Sequence, residues 1–350
     1  MRASHPVATQ QLTNWRHLEG ALNPELLFAL AARNKVQLPQ DDPAYSSIES
    51  LHARYSRFTC LDDFLQYYYF SSSVLLHDSD FEALAWDYFQ HASSDGVMHA
   101  EVFFDPQAHL SRGISYQTIV NGFSSARKRA EAELGITSEL ICCFLRHLPV
   151  PDSLEAFSHA HLQASFGKEV VGIGLDSSEK DFHPELFREL YIQAKKQGLR
   201  LTAHAGEEGP ASYIAAALNE LGVERIDHGI RLVEDEDLLK LIADKGTMLT
   251  VCPLSNVVLR CVESISDVPI RRFLDAGVKF SINSDDPAYF GGYILENYCK
   301  VQEAHNLSAQ EWVTICRNSI EGSWCSKERK SAMLQRLEGT TKAWQNQLDE

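Results

Sequence analysis

Residues 200–229 read RLTAHAGEEGPASYIAAALNELGVERIDHG. The apolar run LTAHAG reads as a strand that breaks in a Gly-flanked loop, and residues 211–221 carry the apolar spacing of a helix. Residues 223–228 (VERIDH) form a second strand-like run. The stretch is therefore a βα repeat followed by the next strand. Each strand carries a histidine near its end, His204 and His228, and the two lie 24 residues apart, about one repeat. They occupy equivalent places on neighbouring strands.

The same order extends outward in both directions. Strands are predicted at 98–104 (MHAEVFF), 139–145 (ELICCFL), 169–176 (EVVGIGLD), 247–253 (TMLTVCP) and 278–284 (VKFSINS). Several are nearly continuous apolar runs, the pattern of parallel strands buried on both faces. Helices are predicted at 24–34, with Asn23 as N-cap and Pro24 at the first position, and at 186–197, with Leu186, Leu190, Ile192 and Ala194 near one face. Further helices fall at 235–244, 309–318 and 329–346. Seven strands plus an eighth near 14–18 predict a (β/α)8 TIM-type barrel. Residues 4–14 are polar and contain Pro6, so the first strand is expected to be degraded or missing. A doubly wound open sheet is the runner-up, weakened because no G-x-G-x-x-G follows the first strand. No linker-like tract divides the chain. The expected organisation is an atypical, disordered segment at 1–13 and a single barrel domain with C-terminal helices over 14–350.

The formal net charge of −16 over 350 residues argues against non-specific binding to nucleic acid or an anionic membrane. None of the eight cysteines forms a C-x-x-C pair, and reduced thiols are expected. Adjacent Cys142 and Cys143 should point to opposite faces of a strand. Residues 1–13 have no apolar signal core, and the apolar run at 26–32 is too short to span a bilayer. Cytoplasm is the expected location, with the nucleus also open. No feature sets an oligomeric state.

In such a barrel the catalytic groups gather at the C-terminal ends of the strands. His204, in an apolar strand, is a candidate metal ligand through its neutral imidazole, and Glu207 sits three residues on in a Gly-flanked loop. Taken alone, His204 is more often a satisfied core histidine. The last strand ends Asn283-Ser284-Asp285-Asp286-Pro287. Two adjacent carboxylates there are costly without a cation or hydrogen-bond donors. A helix N-cap and a turn would be the plainer explanation. With histidines on two neighbouring strands, the combination suits a metal-assisted hydrolase, since zinc takes His and carboxylate ligands and brings the pKa of a bound water to about 7.

The runs His204-Ala-Gly-Glu207, Asp227-His228-Gly229, Cys252-Pro-Leu-Ser-Asn256 and Ser284-Asp285-Asp286-Pro287 resemble the adenosine/adenine deaminase family. Further stretches look like its adenine deaminase branch: His17-Leu-Glu-Gly20, Phe103-Phe-Asp-Pro-Gln107, Phe144-Leu-Arg-His147, Gly174-Leu-Asp-Ser-Ser-Glu179 and Asp286-Pro-Ala-Tyr-Phe-Gly-Gly292. The resemblance covers roughly residues 17 to 325. It implies a (β/α)8 barrel with one zinc ion, held by His17, His204 and Asp285. It further implies that Glu207 protonates the purine at N1, that His228 orients the attacking water and assists its deprotonation, and that Asp286 hydrogen-bonds the purine near N7. The implied activity is hydrolysis of adenine to hypoxanthine and ammonia, a purine-salvage reaction, with adenosine deaminase as an alternative. Attack at C6 builds negative charge on the ring, so Glu207 must carry a proton, which requires a raised pKa in a dry pocket. Adenosine-specific members typically have Asp at the position of Glu19 and small Ala-Gly residues at the positions of Asp176 and Ser177. The bulkier side chains here would shrink the sugar pocket. A helix-cap cluster at Asp176, Ser177 and Ser178 is the plainer reading.

One departure stands out. The family pattern begins with His-x-His, both zinc ligands, and this chain has Trp15-Arg16-His17. Indole offers a donor and no ligating lone pair. Three readings follow: a weakened or lost metal site, in a homologue that keeps the purine pocket without catalysis; a chain start that does not represent the working protein; or a substitute ligand such as His5. No Lys lies within 170–176, where a binuclear site would usually place a bridging one.

Overall fold

The computed structural model describes residues 13–348, with side chains from His17 to Ala343 apart from 160–161. The segment expected to be disordered lies outside the described residues except for Thr13, as do His5 and the side chain of Trp15. Eight strands run β1 (Thr13–His17), β2 (His99–Phe104), β3 (Thr137–Leu145), β4 (Val170–Asp176), β5 (Arg200–Ala205), β6 (Arg225–His228), β7 (Met248–Val251) and β8 (Phe280–Ile282). Each pairs in parallel with the next in chain order. Strand order without a reversal is the mark of a (β/α)8 barrel rather than a doubly wound sheet. Laid flat, seven strand spacings would hold β1 and β8 roughly 34 Å apart. Instead His17, ending β1, and Asp285, just past β8, bring ligand atoms within 4.8 Å of each other and of His204. The sheet therefore curls back on itself.

The first strand, expected to be degraded or missing, is present and longer than β6, β7 or β8. It is five residues long, TNWRH, and pairs with β2 along its whole length. Alternation sorts the side chains of the other strands. Ala100, Val102 and Phe104 of β2 join the layer between sheet and helices, while Glu101 and Phe103 point inward. Cys142 and Cys143 divide in the same way, the first into the outer core and the second into a small inner cluster with Phe103 and Ile141. All eight thiols are free.

Helix α1 (Pro24–Asn34) starts where its sequence says, with the Asn23 side chain accepting from the Leu26 N–H at 2.8 Å. Between it and β2 lie α2 (Ile48–Tyr55), α3 (Leu61–Ser72) and α4 (Asp78–Ser94), a stretch the sequence reading left unassigned. Asp62 and Asp63 sit in the first turn of α3, where the helix dipole favours negative charge, and Phe64, Tyr67 and Tyr68 form its buried face. The helix expected at 186–197 is corrected in phase. It spans Arg188–Lys196 and buries Leu190, Tyr191 and Ala194, leaving Leu186 and Ile192 51% and 40% exposed. Leu186 falls in the 3-10 turn Pro184–Phe187 that precedes it, and Ile192, two positions from both Leu190 and Ala194, sits about 200° round the helix from them and faces outward. The chain ends in helices Ala309–Gly322 and Lys327–Leu348. Among the described residues no helix is long and apolar enough to cross a membrane.

Candidate active site

The C-terminal ends of the strands converge on a narrow cavity of about 40 Å³. His17 ends β1, His204 lies one residue before the end of β5, and His228 ends β6. Glu207 follows β5, and Asp285 and Asp286 follow β8. All six line the cavity and are at least 94% buried. The sequence-derived set is thus brought together in one place. Two of the six carry left-handed backbone, His228 at φ 63° and Asp285 at φ 55°. Non-glycine residues adopt that conformation only where their surroundings enforce it, and such positions concentrate at functional sites.

The Nε2 atoms of His17 and His204 stand 3.3 Å apart. Burial, then the neighbouring His228, His17 and Arg146, hold the His204 imidazole well below its usual pKa, so it is neutral and able to ligate. Its Nδ1 faces Asp227 Oδ2 at 3.7 Å, and Asp227 is in turn fixed by the hydroxyls of Thr202 (2.7 Å) and Thr250 (2.9 Å). Two buried imidazoles and a carboxylate with converging ligand atoms suit a divalent cation, and three protein ligands leave a position for water. Cys252 shares a second cluster with His228 and Asp285, and burial pushes its thiol well above its ordinary pKa.

Glu207 Oε1 lies 3.4 Å from His228 Nδ1. Burial first, then Asp285, Glu179, Glu208 and Asp286, raise the Glu207 carboxyl well above the ordinary range, so it holds a proton. His228 Nε2 lies 3.8 Å from Asp285 Oδ2. Asp286 precedes the short helix Pro287–Phe290 but makes no side-chain cap. Its carboxyl group instead packs against Gly20, where any Cβ would collide with it. The plainer N-cap reading of Asp286 is thereby overturned. The helix-cap reading of Asp176, Ser177 and Ser178 fails as well. Ser177 Oγ accepts from the Tyr69 hydroxyl at 3.1 Å and meets His147 Nδ1 at 2.7 Å, tying α3 to the end of β4. Leu61, Phe64 and Leu65 of α3 and Leu259 supply the apolar roof.

Several residues of the site went unassigned in the sequence, although most lie in the motifs quoted above. Asn256 Nδ2 stands 3.2 Å from His228 Nδ1. Glu179 accepts from the backbone N–H groups of Gly206, Glu207 and Gly209 at 3.2, 3.2 and 2.7 Å, clamping the loop that carries Glu207. Arg146, 3.9 Å from Glu179, donates to the His204 carbonyl at 3.1 Å. A second acidic group, Glu19, Asp105 and Asp176, lies beside His17. Burial and Asp105 push Glu19 up to about 8 and Asp176 well above its ordinary value.

A parallel barrel with histidines and carboxyl groups converging at its strand ends defines a hydrolase of the amidohydrolase type. Within that class the chain belongs to the adenosine deaminase family, whose model matches residues 12–340. It is 60% identical to an adenine deaminase of Aspergillus oryzae, with 92% of each chain covered. It is 55% identical to an adenine deaminase of Schizosaccharomyces pombe, covering 94% of this chain and 90% of the relative. Among solved structures it resembles the adenine deaminase of Arthrobacter aurescens, with a TM-score of 0.90, 42% identity and coverage of 95% and 99%. An amidohydrolase from Burkholderia ambifaria, solved with bound zinc, superposes with a TM-score of 0.89 at 25% identity, covering 100% of this chain and 96% of that one.

Proposed function

We propose that this chain is an adenine deaminase that hydrolyses the exocyclic amino group of adenine, yielding hypoxanthine and ammonia. One observation carries the reading: Glu207, a carboxyl group kept protonated by burial, stands beside His228 at the edge of a cluster of metal-ligating side chains. His17, His204 and Asp285 would hold one divalent cation, zinc by analogy with the zinc-bound relative. When bound, that cation supplies the acidity that makes water a nucleophile near neutral pH.

The protein's own groups do the rest. Asp286, fixed against Gly20, takes the N7 side of the purine. Glu207 gives its proton to N1 as attack at C6 places charge on the ring. His228, steadied by Asn256, orients the attacking water and accepts its proton. The proton taken by His228 passes to the amino group, which leaves as ammonia, and the remaining proton of the added water returns to Glu207 as the 6-oxo purine forms, so water and adenine are fully accounted for. The apolar roof from α3 excludes bulk water and strengthens each of these interactions. Asp176 and Ser177, the latter held by Tyr69 and His147, would crowd the side on which a ribose would sit, which favours the free base over adenosine. Eight free cysteines suit a reducing compartment, and the reading places the enzyme in purine salvage in the cytoplasm or nucleus.

Absorbance-monitored conversion of adenine to hypoxanthine by zinc-supplied protein, with adenosine in parallel, tests this. Turnover of adenine alone is the expected result. Turnover of neither by folded protein would remove the catalytic reading and leave a purine-binding homologue, the alternative that Trp15 favours.

A further inference from the structure

The roles proposed above engage the N1, C6 and N7 positions of the purine and leave its N3–N9 edge without a partner. They also leave two cavity-lining acids unused. Asp105 follows β2 and Asp176 ends β4, and they are 1% and 2% exposed. Both stand beside the Nδ1 atom of His17, at 3.8 and 3.5 Å, on the opposite side of that ring from the Nε2 that faces His204. Tyr68 in the roof donates to Asp105 Oδ2 at 2.7 Å. Asp105 Oδ1, the atom that faces His17 Nδ1, lies beyond hydrogen-bond distance from it, and Asp176 Oδ1 is buried with no hydrogen-bond partner among the described residues. Glu19 behind them is engaged differently. Its Oε1 accepts from the Asp105 backbone N–H at 3.2 Å and meets His109 Nε2 at 3.0 Å, and His109 is held by Arg112 at 2.6 Å.

Buried acceptor atoms without donors are destabilising, and a bound ligand that supplies the donor removes that cost. Free adenine offers one there: its imidazole ring carries a single N–H. In a nucleoside that nitrogen is bonded to the sugar and has no proton to give. We propose that Asp105 and Asp176 form a reader of the free base, accepting the ring N–H of adenine through a carboxyl oxygen. Selection against nucleosides then has two parts, the bulk of Ser177 on the sugar side and the loss of this hydrogen bond. The proposal rests on the adenine reading and adds to it a positive signal for the unsubstituted base.

The test compares adenine with 9-methyladenine, in which a methyl group replaces the N–H and is much smaller than ribose. For the native protein kcat/KM should fall roughly 10- to 100-fold on methylation, the range of one buried hydrogen bond to an acidic group. In Asp176→Ala and Asp105→Ala, the ratio of kcat/KM for adenine to that for 9-methyladenine should fall toward one, chiefly through the KM for adenine. The ratio is taken within one preparation, so partial loss of metal or fold cancels. Tyr68→Phe, which keeps both acids but frees Asp105, should narrow the ratio in the same direction and serves if the alanine variants do not fold. A ratio that stays at the native value in the variants, with both substrates falling together, overturns the reader and leaves the acids a structural role. If the native protein turns over no adenine, the catalytic reading fails separately. Calorimetric titration of the two bases then decides: tighter binding of adenine that is lost in the variants supports the reader, and equal binding of both by the native protein rejects it.

Discussion

Glu207 acquires its function from its surroundings rather than from its identity. A glutamate in water would be ionised at neutral pH, but burial among Asp285, Glu179, Glu208 and Asp286 keeps this one protonated. Glu207→Gln preserves shape and removes the transferable proton. Turnover of adenine should drop roughly 100- to 10,000-fold, with the thermal midpoint close to native in a melting scan. Gly20→Ala probes the opposite wall, where a methyl group would strike the Asp286 carboxyl group. The expected outcome is a rise in KM of tenfold or more in steady-state kinetics while bound zinc stays stoichiometric. The six residues lining the chemistry were legible in the sequence because polar side chains closing apolar strands announce themselves, and because their tetrapeptides match a family pattern. Asn256, Glu179 and Asp105 carried no such signal for a role. Each acts through a partner 28, 27 or 88 residues away, His228, Gly206 and His17, and one sequence does not reveal which distant residues meet.

The loop from Gly206 to Gly209 is held at the scale of elements, because one carboxylate from the end of β4 gathers three of its backbone N–H groups. Glu179→Ala strands those donors and leaves Arg146 buried without its acidic neighbour. Denaturant unfolding should show a loss of roughly 3–5 kcal/mol, the usual effect of removing one member of a buried ion pair. The strands were readable because parallel strands buried on both faces give continuous apolar runs. The helices of residues 48–94 were not. Their aromatic-rich faces pack on each other, as Tyr55 does on Tyr67, and on Tyr289 beyond β8, which blurs the 3.6-residue period. The helix at Arg188–Lys196 shows a finer failure, since Leu190, Ile192 and Ala194 alternate and only Leu190 and Ala194, four apart, share the buried face.

For the whole molecule, the lower part of the barrel matters as much as the upper. Glu101 pairs with Arg225, accepts from the Trp324 N–H and meets His99, while the Arg225 guanidinium stacks on the Trp324 ring at 4.1 Å. Burial works against the Glu101 charge, but Arg225 and His99 outweigh it and hold the group down to about 2. A carboxyl group depressed on folding contributes stability fully above its unfolded value near 4.5 and loses it as pH falls toward 2. Urea unfolding at successive pH values should therefore show a decline of roughly 3 kcal/mol across that window in the native protein. Glu101→Gln should be less stable at neutral pH, and the native-minus-variant difference should shrink as the medium is acidified. Above this base the cavity wall divides into two sets of residues. His17, His204, Glu207, His228, Asp285 and Asp286 come from β1, β5, β6 and β8, whereas Asp105, Asp176, Ser177 and the α3 roof come from β2, β4 and the segment between β1 and β2. A descendant of this fold could exchange one purine derivative for another by mutation at Ser177 and in α3, provided that His17, Gly20 and Glu179, which serve the hydrolytic reaction from the same half of its gene, stay as they are.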